Sequence, residues 1–244
     1  PFVAAMAQRR VQPLWINLEY LSAETYVSRC HGLPSPQLDG PGRGLKKWFF
    51  YPGFVPGTGG LLRETGLDRQ QAAFDGPAWL AARGWAPRPD GRVVSLFCYP
   101  QAPLSDLLHS LQAQPTLLLL TPGAAQQAVR ALPAPLPALR CIQLPWLTQT
   151  DYDRLLWASD LNLVRGEDSL VRALWAGAPL LWQVYPQEDG AHALKLDAFL
   201  ALYLNGAEAG LAAAKADENV AKFLVGLAIK KEIVVPGKLV NFVV

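Results

Sequence analysis

"LNLVRGEDSLVRALWAGAPLLW", Leu161 to Trp182, joins two apolar stretches of different period through a short polar turn. "LNLV" has the length and continuous apolarity of a strand buried on both faces. After the turn, Leu170, Val171 and Leu174 recur at helical spacing, and Gly177 with Pro179 stops the helix. Asp168 or Ser169 stands where a helix cap belongs. Strand, turn and helix in that order form the repeating unit of a parallel α/β sheet.

The same alternation extends outward from this stretch in both directions. "VVSLFCY" from Val93, "TLLLL" at Thr116–Leu120, "LRCIQL" at Leu139–Leu144 and "LLWQVY" at Leu180–Tyr185 read as strands. Helices are expected at 106–112, 123–132, 151–158, 169–176 and 191–204 between and after them. Short apolar strands separated by helices of about ten residues predict an α/β fold with a doubly wound, Rossmann-like parallel sheet.

The front of the chain has a different texture. "PLWINLEY", Pro13 to Tyr20, reads as a strand, and "PFVAAMAQRR" as the inside of a helix, so the sequence reads as a fragment. His31–Lys47 is dense in glycine and proline and too irregular for an element. "WFFYPGF" at Trp48–Phe54 is extended, Pro56–Glu64 is a second glycine-rich loop, and "PAWLAARG" at Pro77–Gly84 is a short helix. "WAPRPDGR", residues 85–92, has the composition of a linker between a domain at 1–84 and one at 93–244.

Bulk composition narrows the function. A chain of 244 residues that is 51% hydrophobic can bury a large core, and a net charge of +2 is too weak to favour nucleic acid or a membrane surface as partner. Cys30, Cys98 and Cys141 form no metal spacing and read as reduced thiols of a cytoplasmic protein. No apolar run reaches the ~20 residues of a membrane span. His31, His109 and His192 stand in structural contexts, and no GxSxG, HExxH or GxxxxGK[ST] motif occurs.

In open α/β sheets ligands meet the carboxyl ends of the strands, so strand-end residues are the site candidates. In "VRGEDS", a helix N-terminus offers N–H groups to phosphate, and Arg165 adds a fork of donors. Glu167 and Asp168 would repel a phosphate that faced them directly. Three tasks are open to them: capping, a hydrogen bond to a sugar hydroxyl, or an ion pair with Arg165. Thr150 and Asp153 have capping-box spacing, which leaves Trp146 in the preceding loop as a stacking face for a base or as a core residue. Phe97 and Tyr99 end "VVSLFCY", and Tyr185 and Gln187 end another strand at the same rim.

"PLWINLEYLSAE", "HGLPSP", "PGFVPGTGGLLRE", "VSLFCY", "LPWLTQTDYDRLLWASDLNLVRGEDSLVRALWAG" and "YPQEDGAHALKLDAFL" together resemble the bacterial protein-arginine rhamnosyltransferases that modify translation elongation factor P. The resemblance covers most of the chain and is most specific from Val93 to Leu204; the stretch after Leu204 matches poorly. It implies a two-domain GT-B glycosyltransferase that uses dTDP-β-L-rhamnose as donor, inverts the sugar carbon, needs no metal or other cofactor, and takes elongation factor P as acceptor. By the same resemblance Arg165, Glu167, Asp168 and Ser169 surround ribose and diphosphate, Trp146 and Phe97 contact thymine, and Tyr99, Tyr185 and Gln187 contact the nucleotide sugar. The family often has Phe where this chain has Trp146 and Leu170. Its catalytic carboxylates lie in an N-terminal Rossmann-like half, of which residues 1–84 would be the last part, so no catalytic residue is expected in this chain. A non-catalytic nucleotide-binding module and a GT-B transferase using UDP-sugars are the alternative readings.

Overall fold

The computed structural model describes residues 1–131, 136–188 and 190–203, and the backbone of 231–235 and 239–243. Leu132, Pro133, Pro135 and the poorly matching stretch from Leu204 to Lys230 lie outside the described residues.

The chain forms two compact units, one of residues 1–64 with 193–202, the other of 65–192 with 203–244. The first holds helix α1 (Phe2–Ala7), strand β1 (Trp15–Leu18), helix α2 (Tyr26–Cys30), strand β2 (Pro34–Pro36) and strand β3 (Lys46–Phe50). Its sheet has the order β1-β3-β2, with β1 parallel and β2 antiparallel to β3. The strand β2 corrects the expectation that His31–Lys47 holds no element. Its prolines are tolerated because β2 is an edge strand, where a missing N–H leaves no ladder bond unmade.

The second unit opens with helices α3 (Leu67–Ala72) and α4 (Gly76–Ala81), followed by strand β4 (Arg92–Leu96), helix α5 (Leu104–Ser110), strand β5 (Thr116–Leu120), helix α6 (Ala124–Arg130) and strand β6 (Leu139–Gln143). It continues with helix α7 (Gln149–Trp157), strand β7 (Leu161–Arg165), helix α8 (Asp168–Ala176) and strand β8 (Leu180–Gln183). Helix α9 (Ala191–Tyr203) follows, and its residues 193–202 belong to the first unit, where Phe199 packs on Phe54 at 5.0 Å between ring centroids. The backbone of β9 (Lys231–Val235) and β10 (Leu239–Val243) makes an antiparallel pair.

Strands β4 to β8 form one parallel sheet in the order β6-β5-β4-β7-β8. Alternate residues feed opposite faces. Val94, Leu96, Leu118 and Leu120 pack with Leu107 and Leu108 of α5 and Ala125 of α6, whereas Val93, Leu117 and Leu119 pack with Leu155 of α7 and Leu80 of α4. A third cluster seats α8 through Leu170 and Ala173 on Val164 and Leu180. Leu80 joins the core of the parallel sheet, which explains why the division between units falls at Glu64 and not at the composition change of 85–92.

The strand order reverses direction between β4 and β7, and this switch point opens a crevice at their carboxyl ends. A buried polar bridge fixes the register there. The Ser95 hydroxyl donates to Asn162 Oδ1 at 2.6 Å, and Asn162 Nδ2 donates to the Leu156 carbonyl at 3.0 Å, so both of these buried side chains are partnered.

Candidate functional site

The crevice is a cavity of about 390 Å³. Its walls come from the ends of β4 (Phe97, Tyr99) and β5 (Thr121, Pro122), from the loop before α7 with its first residues (Trp146, Leu147, Thr148, Gln149, Tyr152), and from the turn and first helical residues after β7 (Arg165–Ser169, Arg172).

Arg165 organises one wall. Its guanidinium carbon lies 4.3 Å from the Phe97 ring centroid and 4.5 Å from that of Tyr99, and its Nη1 donates to the Cys98 carbonyl at 3.2 Å. The arginine at the end of β7 is thus clasped by the residues that end β4. Stacking restrains the planar fork, so little rotamer entropy remains to be lost when its other donors meet an anion. The contacts of the fork are the two rings and a carbonyl.

The turn that follows is set by Gly166, whose φ of +65° puts it in the left-handed region. Its N–H donates to the Gln183 carbonyl at 3.1 Å, and its own carbonyl accepts from Trp182 Nε1 at 2.6 Å. The backbone N–H of Tyr99 donates to Gln183 Oε1 at 2.8 Å. The ends of β4, β7 and β8 are therefore tied to one another before any ligand arrives.

Helix α8 starts two residues earlier than a Ser169 cap would have it, and one earlier than an Asp168 cap would. Glu167 occupies the cap position in a helical backbone conformation without a side-chain cap bond, and Asp168 is the first helical residue and exposed. Ser169 is buried, its hydroxyl donating to the Arg165 carbonyl and accepting from the Arg165 N–H at 3.1 Å. This corrects the cap assigned to Asp168 or Ser169: the hydroxyl closes the turn from beneath, and the first residues of α8 line the cavity.

Helix α7 also differs from expectation. Thr148, not Thr150, is its cap, accepting from the Asp151 N–H at 3.2 Å. The earlier start brings Gln149 and Tyr152 to the cavity and leaves Asp153 buried, where it accepts from Gln149 Nε2 at 3.3 Å and pairs with Arg172 Nη1 at 3.4 Å. Trp146 stands in the loop before the cap with 86% of its surface exposed, so the core alternative does not apply to it.

Burial raises the Tyr99 hydroxyl above the ordinary phenol range against the opposing pull of Arg165, and it raises the Tyr152 hydroxyl as well. Both therefore remain protonated donors at neutral pH. The Phe97 ring meets Tyr152 edge-on at 5.9 Å, and Tyr99 meets the exposed Tyr185 at 5.3 Å.

Of the nine sequence candidates, Phe97, Tyr99, Trp146, Arg165, Glu167, Asp168 and Ser169 line the cavity. Tyr185 reaches its edge through Tyr99, whereas Gln187 is not among the lining residues, and its N–H is bonded to His192 Nδ1 at 3.0 Å. Thr121, Gln149, Tyr152 and Arg172 are lining residues that sequence reasoning passed over. Two of them carried a usable signal. Thr148 and Asp151 have the spacing of an N-cap and its third helical residue, which puts Gln149 in the first turn, and Arg172 lies four residues from Asp168 on the same helix face. Among the described residues no group of three His, Cys, Asp or Glu side chains is placed to hold a metal ion.

A parallel sheet with this strand order and a polar, aromatic-lined cavity at its switch point defines a doubly wound α/β domain of the GT-B kind. The sequence profile of the family described as "Elongation-Factor P (EF-P) rhamnosyltransferase EarP" matches residues 1–226. The chain belongs to this family. It is 46% identical over 225 residues to a protein-arginine rhamnosyltransferase of Pseudomonas aeruginosa, a match covering 85% of this chain and 59% of that protein. The corresponding protein of Shewanella oneidensis is 41% identical over 214 residues, 78% of this chain and 53% of that one. A solved structure described as the structural basis for EarP-mediated arginine glycosylation of translation elongation factor EF-P superposes with a TM-score of 0.52 at 37% identity, over 68% of this chain and 57% of that chain. The chain thus spans under two thirds of the length of these relatives.

Proposed function

We propose that the switch-point cavity binds dTDP-β-L-rhamnose, and that the protein to which this chain belongs transfers L-rhamnose from it, with inversion, to an arginine side chain of elongation factor P. The observation that carries this reading is the meeting, in one cavity, of seven strand-end residues drawn from three separate stretches of sequence. Family membership supplies the acceptor and the sugar.

Cleaving the sugar–phosphate bond leaves negative charge on the diphosphate. Arg165, held under the Phe97 and Tyr99 rings, and the first-turn N–H groups of α8 offer donors already oriented for that charge, which stabilises the transition state more than donors that must reorganise. The exposed Trp146 offers a stacking face for thymine. Glu167 and Asp168, at the start of α8, are assigned to the ribose hydroxyls and the helix start.

An arginine acceptor stays protonated up to a pKa above ~12 and needs a carboxylate to orient and deprotonate it. We assign that base to the part of the family's length that this chain does not span. The same reading puts the protein in the cytoplasm with neither nucleic acid nor membrane as partner; no described helix is long and apolar enough to cross a membrane.

Titrating the chain with dTDP by calorimetry, with and without EDTA, tests donor binding. Equal binding in both supports the reading, and a strict requirement for Mg²⁺ overturns its metal-free form. Mass spectrometry of elongation factor P incubated with dTDP-rhamnose tests the transfer: the chain alone should leave it unmodified, and the chain extended to the family's full length should add one deoxyhexose.

A further inference from the structure

We propose that Asp153 is a positioning residue which, by fixing the amide of Gln149, makes the cavity select a base with an N–H on its pairing edge. The inference rests on the nucleotide reading of the cavity and adds to it the origin of base preference. Gln149 is the first residue of α7 and lines the cavity three positions after Trp146, on the wall where a base would stack. Its side-chain amide has a donor half and an acceptor half, and which half faces the cavity depends on what holds the other. Asp153 settles this. It is buried, 4% exposed, and its carboxylate can only accept, so Gln149 must turn Nε2 toward it, as the 3.3 Å contact shows. Oε1 is the half left for the cavity.

Arg172 makes the arrangement durable. Its Nη1 donates to Asp153 Oδ2 at 3.4 Å with 13% of the arginine side chain exposed, so both carboxylate oxygens are engaged as acceptors, one by Gln149 and the other by Arg172. An acceptor presented at a fixed point accommodates the imide N–H of thymine or uracil and faces the bare ring nitrogen of cytosine with a second acceptor. A site that offers an acceptor to a ligand without the matching donor leaves a polar group unpaired, which discriminates far better than shape does.

The test compares dTDP, UDP and CDP on the full chain by calorimetry. The native chain should favour dTDP and UDP over CDP by about tenfold or more, the loss expected when one polar group is left unpaired. Asp153→Asn offers a donor as well as an acceptor, frees Gln149 to turn over, and should shrink the preference to less than about threefold. Gln149→Leu, at an exposed position that leaves folding intact, should abolish it. If Asp153→Asn unfolds, the paired change Asp153→Leu with Arg172→Met removes both charges together and is read in the same way.

A native chain that binds none of the three nucleotides overturns the nucleotide reading itself. One that binds all three equally overturns this proposal alone, as does a preference that survives in Gln149→Leu or in the Asp153 variant.

Discussion

The hydroxyl of Tyr99 stands 2.9 Å from the point where a Cβ on Gly166 would lie, and Gly166 itself holds a φ of +65°. The residue after β7 is thus fixed as glycine from two directions, by its own backbone and by a side chain from the end of β4. Gly166→Ala should cost about 1–2 kcal/mol from the left-handed backbone alone. It should also push Tyr99 off Arg165 and weaken dTDP binding. Adding Tyr99→Phe should relieve the crowding and leave the backbone cost, a split that thermal unfolding and calorimetry on the single and double variants would display.

Arg165→Lys keeps the charge and removes the plane. The stacked geometry over Phe97 and Tyr99 depends on a flat guanidinium, and a lysine ammonium presents a point charge on a flexible stem. The expected outcome is a loss of dTDP affinity of about tenfold or more, ~1.4 kcal/mol, with the melting temperature little changed. An affinity equal to the native value would show that charge alone suffices.

Trp146 and Trp157 should separate binding from stability. Trp146 is 86% exposed beside the cavity, whereas Trp157 packs edge-on against Phe74 at 5.5 Å and joins the cluster beneath α8. Trp146→Ala should cost ~1–3 kcal/mol of dTDP binding without lowering the melting temperature. Trp157→Ala should lower the melting temperature with a smaller effect on binding at equal foldedness. Reversal of this pattern would remove the stacking role from Trp146.

Burial raises the Cys98 thiol from 9.0 to about 11, outweighing the nearby Arg165, which favours the thiolate. Because the folded state holds this proton more tightly than the unfolded chain, its contribution to stability is complete below pH 9 and is lost as pH rises toward 11. Cys98→Ala should therefore flatten the fall in stability across that window, as followed by denaturant unfolding at a series of pH values. At pH 8, alkylation should reach the exposed Cys141 before the buried Cys98, since the thiolate is the reactive form and access is required as well.

The sequence by itself determined the second unit's sheet and the line along which its site would fall. Apolar runs such as "TLLLL" and "LNLV" can be buried only as central parallel strands, and helical spacing between them leaves a doubly wound sheet as the arrangement that covers both faces. Because strands in such a sheet present their carboxyl ends to ligands, Phe97, Trp146 and Arg165 could be singled out before any contact was known. Strand order, helix starts and the partners of polar groups are decided by contacts distant in sequence. Only the tertiary structure puts β4 beside β7, and only there do Phe97 and Tyr99 close on Arg165. Only packing shows that Ser169 turns inward to the backbone of Arg165, that Thr148 moves the start of α7, and that Asp153 meets both Gln149 and Arg172. The linker composition of 85–92 was read locally, yet Leu80 is buried against Val93 and Leu117, and burial of an apolar side chain outweighs a run of prolines in deciding where a unit ends.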